Sequence, residues 1–337
     1  MKKINVAVLC GGKSPEHKVS LSSAETVIDA LNKNSEKYIV TPIYITEKGK
    51  WVYWQTGEGV DISPQMGIRD ANGCGVDVVF PALHGEDGED GVVQGLCRLL
   101  STPCVGSGVL SSAICLDKPS AKRLTSFVQG LGQVRFADFD MREGVKFEEI
   151  RERVKKDVRF PCFVKPANAG SSLGISKAET ENELKEAVDI AAKYHPVVMA
   201  EEMIVGRELE AGVLGNVMPI VSGVGEIVTK NGFYDYGTKY DKGGAEVIFS
   251  ADLDENTKER VRGFALKVFR ALKCSGMARI DFFLEDGTGR VVFNEVNTLP
   301  GFTPTSMFPG LFAEINIPIE KLVDKLVELA IEEGAKW

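Results

Sequence analysis

The chain has 337 residues, 44% apolar and 26% charged, the balance of a globular protein of about two or three domains. A formal charge of −8 argues against nucleic-acid or anionic-membrane partners, so a polyphosphate ligand would need lysines gathered locally. No apolar run reaches transmembrane length, and seven scattered cysteines without a C-x-x-C pair predict reduced thiols in a cytoplasmic protein.

Ile4 to Cys10 is a continuous apolar run ending at Gly11-Gly12, as expected of a buried parallel strand; it is too short for a signal peptide. A helix is predicted near Ser23 to Asn32, with Ser22 or Ser23 as N-cap. Strands at Val40 to Thr46 and Gly75 to Pro81, a helix at Val92 to Leu100 and a short strand at Pro103 to Gly106 follow. That alternation predicts a parallel α/β domain with ligands beyond the carboxyl ends of its strands. Gly12-Lys13-Ser14 is not a P-loop, because Ala7 stands where the first glycine is needed. No G-x-G-x-x-G follows the first strand, which discards a Rossmann dehydrogenase.

Residues 113 to 132 predict one helix stopped by Gly130 and Gly132, with a domain boundary near Leu116. A second, α+β unit reads as strand Cys162 to Lys165, a Gly-Ser loop, strand Gly174 to Lys177, helix Glu181 to Tyr194 and strand Val197 to Glu202. The chain is then strand-rich from about Glu208 to Phe249, helical from Glu255 to Leu272, and closes with an amphipathic helix at Lys321 to Glu333.

Three stretches carry chemistry. In Phe163 to Lys177, Lys165 at a strand end precedes a Gly-Ser-Ser-x-Gly loop, a fixed cation beside free backbone N–H groups that suits phosphate oxygens. In Val197 to Glu208, an apolar strand delivers Glu201 and Glu202 into a linker, followed by Glu208, acceptors for an adenine amino group and a ribose. Arg279 to Met307 reads as a hairpin turning at Glu285 to Gly289, with Ile280, Phe282 and Leu284 opposite Arg279, Asp281 and Phe283. Its second strand puts Phe293, Glu295 and Asn297 on one face; if the strands pair with their faces matched, Asp281, Glu295 and Asn297 converge as a patch of hard oxygen ligands that suits Mg²⁺ or Mn²⁺ rather than zinc. An ATP site between two sheets accounts for all three stretches. His84 and Glu16 lie on glycine-rich loops after the third and first strands.

In chain order the motifs are G-G-x-S-x-E, H-G-x-x-G-E-D-G from His84, Asp117-Lys118, V-K-P-A-N-x-G-S-S-x-G, Y-D-Y-x-x-K-Y from Tyr234, Arg279-x-Asp281, and N-E-x-N-T-x-P-G from Asn294. With this series the chain resembles the D-alanine–D-alanine ligase family of the ATP-grasp superfamily over essentially its whole length. The resemblance implies an N-terminal parallel α/β pre-ATP-grasp domain (residues 1–116) and a two-lobed ATP-grasp fold, α/β with an α+β C-terminal part (117–207 and 208–337). It implies ATP-dependent joining of two D-alanines through an acyl phosphate, for peptidoglycan synthesis, in a cytoplasmic homodimer.

By the same resemblance, Lys118, Lys165, Glu201, Glu202, Glu208, Lys239 and Phe283 would hold ATP, and Asp281, Glu295 and Asn297 two Mg²⁺ (or Mn²⁺). Glu16 would take the first D-alanine's ammonium group, with His84 near its carboxylate, and Ser171 and Tyr240 would join Glu16 in a hydrogen-bonded triad. Tyr240 would lie on a loop, about Tyr234 to Gly244, that closes over the site. Arg279, the Gly301 N–H and Ser306 would grip the second D-alanine, with Met307 as apolar wall. Pro304 and Thr305 depart from the more polar residues expected there, which bears on the second subsite and not on the reaction. Tyr240 argues against a D-lactate-joining sibling; a D-serine-joining sibling stays open, and a catalytically silent regulator would need a broken ligand set that this chain does not have.

Overall fold

A computed structural model describes residues 2–170, 173–229 and 245–334. Expectations placed on Ser171, Lys239 and Tyr240, and on the loop around them, lie outside the described residues.

The first sheet has β1 (Ile4–Gly11) parallel to β2 (Tyr38–Ile45) and, after short strands β3 (Trp51–Tyr53), β4 (Ile62–Ser63) and β5 (Gly67–Ile68), parallel to β6 (Val78–Pro81). Its order is β3-β2-β1-β6, with β3 added antiparallel. The expected strand at Pro103 to Gly106 is a single parallel bridge, Val79 to Cys104. Pro103 has no N–H to donate and Gly106, at φ 101°, turns the chain away.

Helix α1 (His17–Asn32) starts well before the expected Ser23. Its serines do not cap; they bond across the fold. Ser20 Oγ accepts from Gly11 N at 2.8 Å, and Ser23 Oγ accepts from Phe302 N at 3.1 Å. After α2 (Val92–Leu99), the helix expected over 113–132 is two helices, α3 (Val109–Leu116) and α4 (Lys118–Thr125). Asp117 between them is extended and its carboxylate accepts from Ser120 N at 3.0 Å, an N-cap that starts α4 afresh with Pro119 in its first turn.

The second sheet runs β7 (Phe136–Asp140), β10 (Val197–Glu202), β8 (Cys162–Pro166), β9 (Ser176–Ala178), all antiparallel neighbours. Helices α5 (Phe147–Arg153) and α6 (Glu181–Ala191) cover it; Ile150, Leu184 and Val188 pack on Val164 and Val198. The third sheet has order β13-β12-β11-β14-β15, from β11 (Gly206–Leu214), β12 (Ile220–Thr229), β13 (Ala245–Ile248), β14 (Met277–Glu285) and β15 (Val291–Asn297). Helix α7 (Glu255–Ala271) covers one of its faces through Val261, Val268 and Phe269. After α8 (Met307–Ala313), the last helix, α9 (Ile319–Gly334), returns to the first sheet. Leu322, Val323, Leu326 and Val327 share a core with Val6, Val8 and Phe80.

Candidate active site

The hairpin of β14 and β15 sets Asp281 opposite Glu295 and Arg279 opposite Asn297. A bulge after Asp281 lets Phe282 face Phe293, with Asn294 as the extra residue. Phe293 therefore does not share the face of Glu295, as strict alternation predicted; it is buried with Ile280 and Phe282 under α7. On the other face, Asn297 Nδ2 donates to Asp281 Oδ2 at 3.0 Å. Arg279 donates to both oxygens of Asp281, at 2.8 and 2.7 Å, and its Nε lies 2.8 Å from Glu210 Oε2. Burial alone would lower the Arg279 pKa; Asp281 and Glu210 reverse that and hold it well above the ordinary value.

Facing this sheet are three lysines. Lys118 and Lys122 are one turn apart on α4 and so point the same way. Lys118 Nζ donates to Ala169 O at 2.8 Å and lies 3.4 Å from Glu295 Oε2. Lys122 Nζ donates to Asn294 O at 2.9 Å, lies 3.2 Å from Glu201 Oε2 and sits 5.5 Å from the Phe293 ring centroid. Lys165, at the end of β8, pairs with the other oxygen of Glu201. Burial brings Lys122 down to about 8, Glu201 opposing and Lys165 adding to the fall. Burial would raise the Glu201 carboxyl, but the two lysines hold it below its usual range. Glu202 is engaged by Arg135, its carboxylate accepting from Arg135 N at 2.8 Å and from Arg135 Nε at 2.6 Å.

Between the second and third sheets lies a cavity of about 370 Å³, and Lys118, Lys165, Glu208, Asp281, Glu295 and Asn297 line it. Glu16, Glu201, Glu202, Phe283 and Arg279 are also on its wall, so most of the sequence-predicted residues among those described share one space. Glu16 comes from the loop after β1 to wedge between two other loops: a Cβ on Gly85 would lie 2.9 Å, and one on Gly170 2.8 Å, from its Oε2. His84, Gly301, Ser306 and Met307 are not on that wall. His84 is buried, Nε2 3.0 Å from Ser23 Oγ and Nδ1 3.2 Å from Leu299 O, so its loop is held like a core element. Ser306 Oγ accepts from Thr303 N at 2.9 Å and packs over Gly301, where a Cβ would meet it at 2.7 Å. Met307 is buried with Ile227 and Leu311.

Sequence reasoning missed Lys122 and Glu210. Both had a signal: Lys122 repeats Lys118 at helical spacing, and Glu210 repeats Glu208 at strand spacing. The hard-oxygen donors Asp281, Glu295 and Asn297 fit Mg²⁺ or Mn²⁺. Among the described residues no three His, Cys, Asp or Glu side chains are grouped to hold an ion.

Two antiparallel sheets closing on a charged cavity, lysines on one side and a carboxylate-bearing hairpin on the other, define an ATP-grasp enzyme. Family models described as D-ala D-ala ligase N-terminus and C-terminus match residues 5–107 and 127–328. A D-alanine–D-alanine ligase of Geobacillus thermodenitrificans is 45% identical, over 98% of this chain and 96% of that protein. Among solved structures, the VanG D-Ala:D-Ser ligase from Enterococcus faecalis is 35% identical with a TM-score of 0.88, covering 98% of this chain and 100% of its own. The D-alanine–D-alanine ligase from Coxiella burnetii also gives 0.88, at 32% identity over 100% and 96%. The chain belongs to the D-alanine–D-alanine ligase family.

Proposed function

We propose that this ligase uses ATP to join two D-alanines into D-alanyl-D-alanine for the cell wall, in the cavity between its two ATP-grasp sheets. The observation that carries the reading is the opposition of Lys118 and Lys165 to Asp281, Glu295 and Asn297 across one cavity. In it, Lys118 and Lys165 hold the nucleotide phosphates, with Lys239 from beyond the described residues. Glu201 acts through Lys165, whose ammonium its carboxylate holds. Glu202, Glu208 and Phe283 flank the base and ribose. Asp281, Glu295 and Asn297 hold two Mg²⁺, which when bound supply neutralising charge for phosphoryl transfer.

The reaction needs ATP because a free carboxylate is a poor acyl donor. The γ-phosphoryl group goes to a carboxylate oxygen of the first D-alanine, releasing ADP. The amine of the second D-alanine then attacks that carbonyl carbon and inorganic phosphate leaves. Glu16 takes the first ammonium group, in a triad with Ser171 and Tyr240, and His84 stands near its carboxylate. Arg279 and the Gly301 N–H stabilise the tetrahedral oxyanion, a donor typically contributing about 3–4 kcal/mol. The bidentate grip on Asp281 fixes the guanidinium for that task. Ser306 and Met307 shape the second subsite.

No helix among the described residues is long and apolar enough to cross a membrane; we take the enzyme to be cytoplasmic. We take it to be a homodimer as well, a reading supported by the exposed apolar side chains of Val92, Leu99 and Leu110 on α2 and α3. Light scattering after size exclusion tests that; a monomer would refute it.

The reaction is tested by phosphate release from Mg-ATP with D-alanine, L-alanine, D-serine, or D-alanine plus D-lactate. Release that requires D-alanine and yields its dipeptide is expected. A mixed product with D-serine would move the second subsite toward the activity named for the Enterococcus structure. No release with any D-amino acid would remove the substrate assignment. Tyr240→Phe is expected to keep ATP binding and weaken discrimination among acceptors; unchanged discrimination would remove Tyr240 from that role.

A further inference from the structure

Lys122 is 1% exposed, and it is absent from the cavity wall that Lys118 and Lys165 share. An ammonium group with no route to a substrate is costly to bury, so its charge must act on something nearby. Its neighbours are Glu201 Oε2 at 3.2 Å, Asn294 O at 2.9 Å and the Phe293 ring. Glu201 in turn is gripped on its other oxygen by Lys165. Two cations thus share one carboxylate. Without Lys122, Glu201 and Lys165 would form a closed, neutral pair; with it, one positive charge is left over, and of the two lysines Lys165 is the one that faces the cavity.

We propose that Lys122 is a positioning residue for nucleotide binding: by neutralising Glu201 from behind, it leaves the charge of Lys165 uncancelled for phosphate. The same ammonium ties Asn294, next to the metal-ligand candidate Glu295, to Glu201 of the opposite sheet, so it also sets the spacing of the cavity walls. This rests on reading the cavity as the nucleotide site.

The test measures Mg-ADP affinity by calorimetry and the D-alanine KM by phosphate release, for wild type, Lys122→Met and Lys122→Met/Glu201→Gln. Lys122→Met is expected to weaken Mg-ADP by about tenfold or more, with the D-alanine KM within about twofold, a loss of roughly one decade per 1.4 kcal/mol. The double variant removes the negative charge as well and so frees Lys165; its Mg-ADP affinity is expected to recover about threefold or more over Lys122→Met. A merely structural lysine would change the melting temperature and affect both substrates alike, with no recovery of ADP binding in the double variant; that pattern overturns the proposal. So does Lys122→Met binding Mg-ADP as wild type does. Should the single variant not fold, the double variant is compared with Glu201→Gln: Mg-ADP affinities alike within about threefold support the proposal, and a further loss of about tenfold overturns it. Wild type that fails to bind Mg-ADP would remove the nucleotide reading of the cavity as well, whereas wild-type binding with indifferent variants removes only the role of Lys122.

Discussion

On one face of the third sheet, Leu209, Ile280, Phe282 and Phe293 meet Val261, Val268 and Phe269 of α7. On the other face, Glu208, Glu210, Arg279, Asp281, Glu295 and Asn297 crowd a single cavity wall. Both sets come from the same strands, residue by residue. The apolar face holds itself together by exclusion of water, non-directionally. The charged face coheres through directional pairs that leave Arg279 and Asp281 committed to each other before a substrate arrives. The first face fixes the register, and the second uses it. Sites of this kind lower stability to gain preorganised charge, so changes on the two faces should separate cleanly into losses of stability and losses of activity.

The sharpest break is Glu295→Gln. Turnover in Mg-ATP is expected to fall about a thousandfold or more, the several kcal/mol of charge stabilisation a metal provides, with the melting temperature kept or raised. Retained turnover would show that the hairpin is not the metal site. On the opposite face, Phe282→Ala should cost about 3–5 kcal/mol in denaturant unfolding while leaving kcat of the folded fraction near wild type. A kcat loss as large as that of Glu295→Gln would mean the faces are not separable.

Lys122 sharpens the comparison through pH. Its ammonium is lost near pH 8 in the folded protein but near 10.5 in the unfolded chain. The unfolded chain therefore binds more protons between those values, and stability from this group rises with pH across that window. It is fully present above 10.5 and lost as pH falls through about 8. Unfolding free energies of wild type minus Lys122→Met should grow by about 3 kcal/mol from pH 8 to 10.5, and a flat difference would contradict the buried, charge-strained placement. The smallest effect is expected away from both faces: Tyr38 donates its hydroxyl to Asp324 of α9, beside Lys37 at 2.6 Å from the same carboxylate. Tyr38→Phe should lower stability by about 1 kcal/mol with activity untouched.

Much of this was readable in advance wherever local period governs. The alternation around Asp281, the lysine before a glycine-serine loop and the acidic linker after β10 each needed only neighbouring residues. What escaped required a partner from elsewhere. The bulge that turns Phe293 inward is a property of two strands counted together. The early start of α1 is hidden because Ser20 and Ser23 are satisfied by Gly11 and Phe302 instead of by a cap. The break at Asp117 was legible as an N-cap followed by proline, and the apolar run through it masked that signal. The pairing of Glu202 with Arg135 joins residues that no spacing rule connects.

The return of α9 to the first sheet bears on the order in which the molecule can be made. Val6, Val8 and Phe80 emerge from the ribosome early, yet their packing partners Leu322, Leu326 and Val327 are among the last residues of the domain to be synthesised. At roughly 5–20 residues per second, that apolar face waits on the order of ten seconds or longer for its cover. The two sheets that close on the cavity are translated within that interval, so the catalytic lobes can form before the unit that precedes them in the chain is finished.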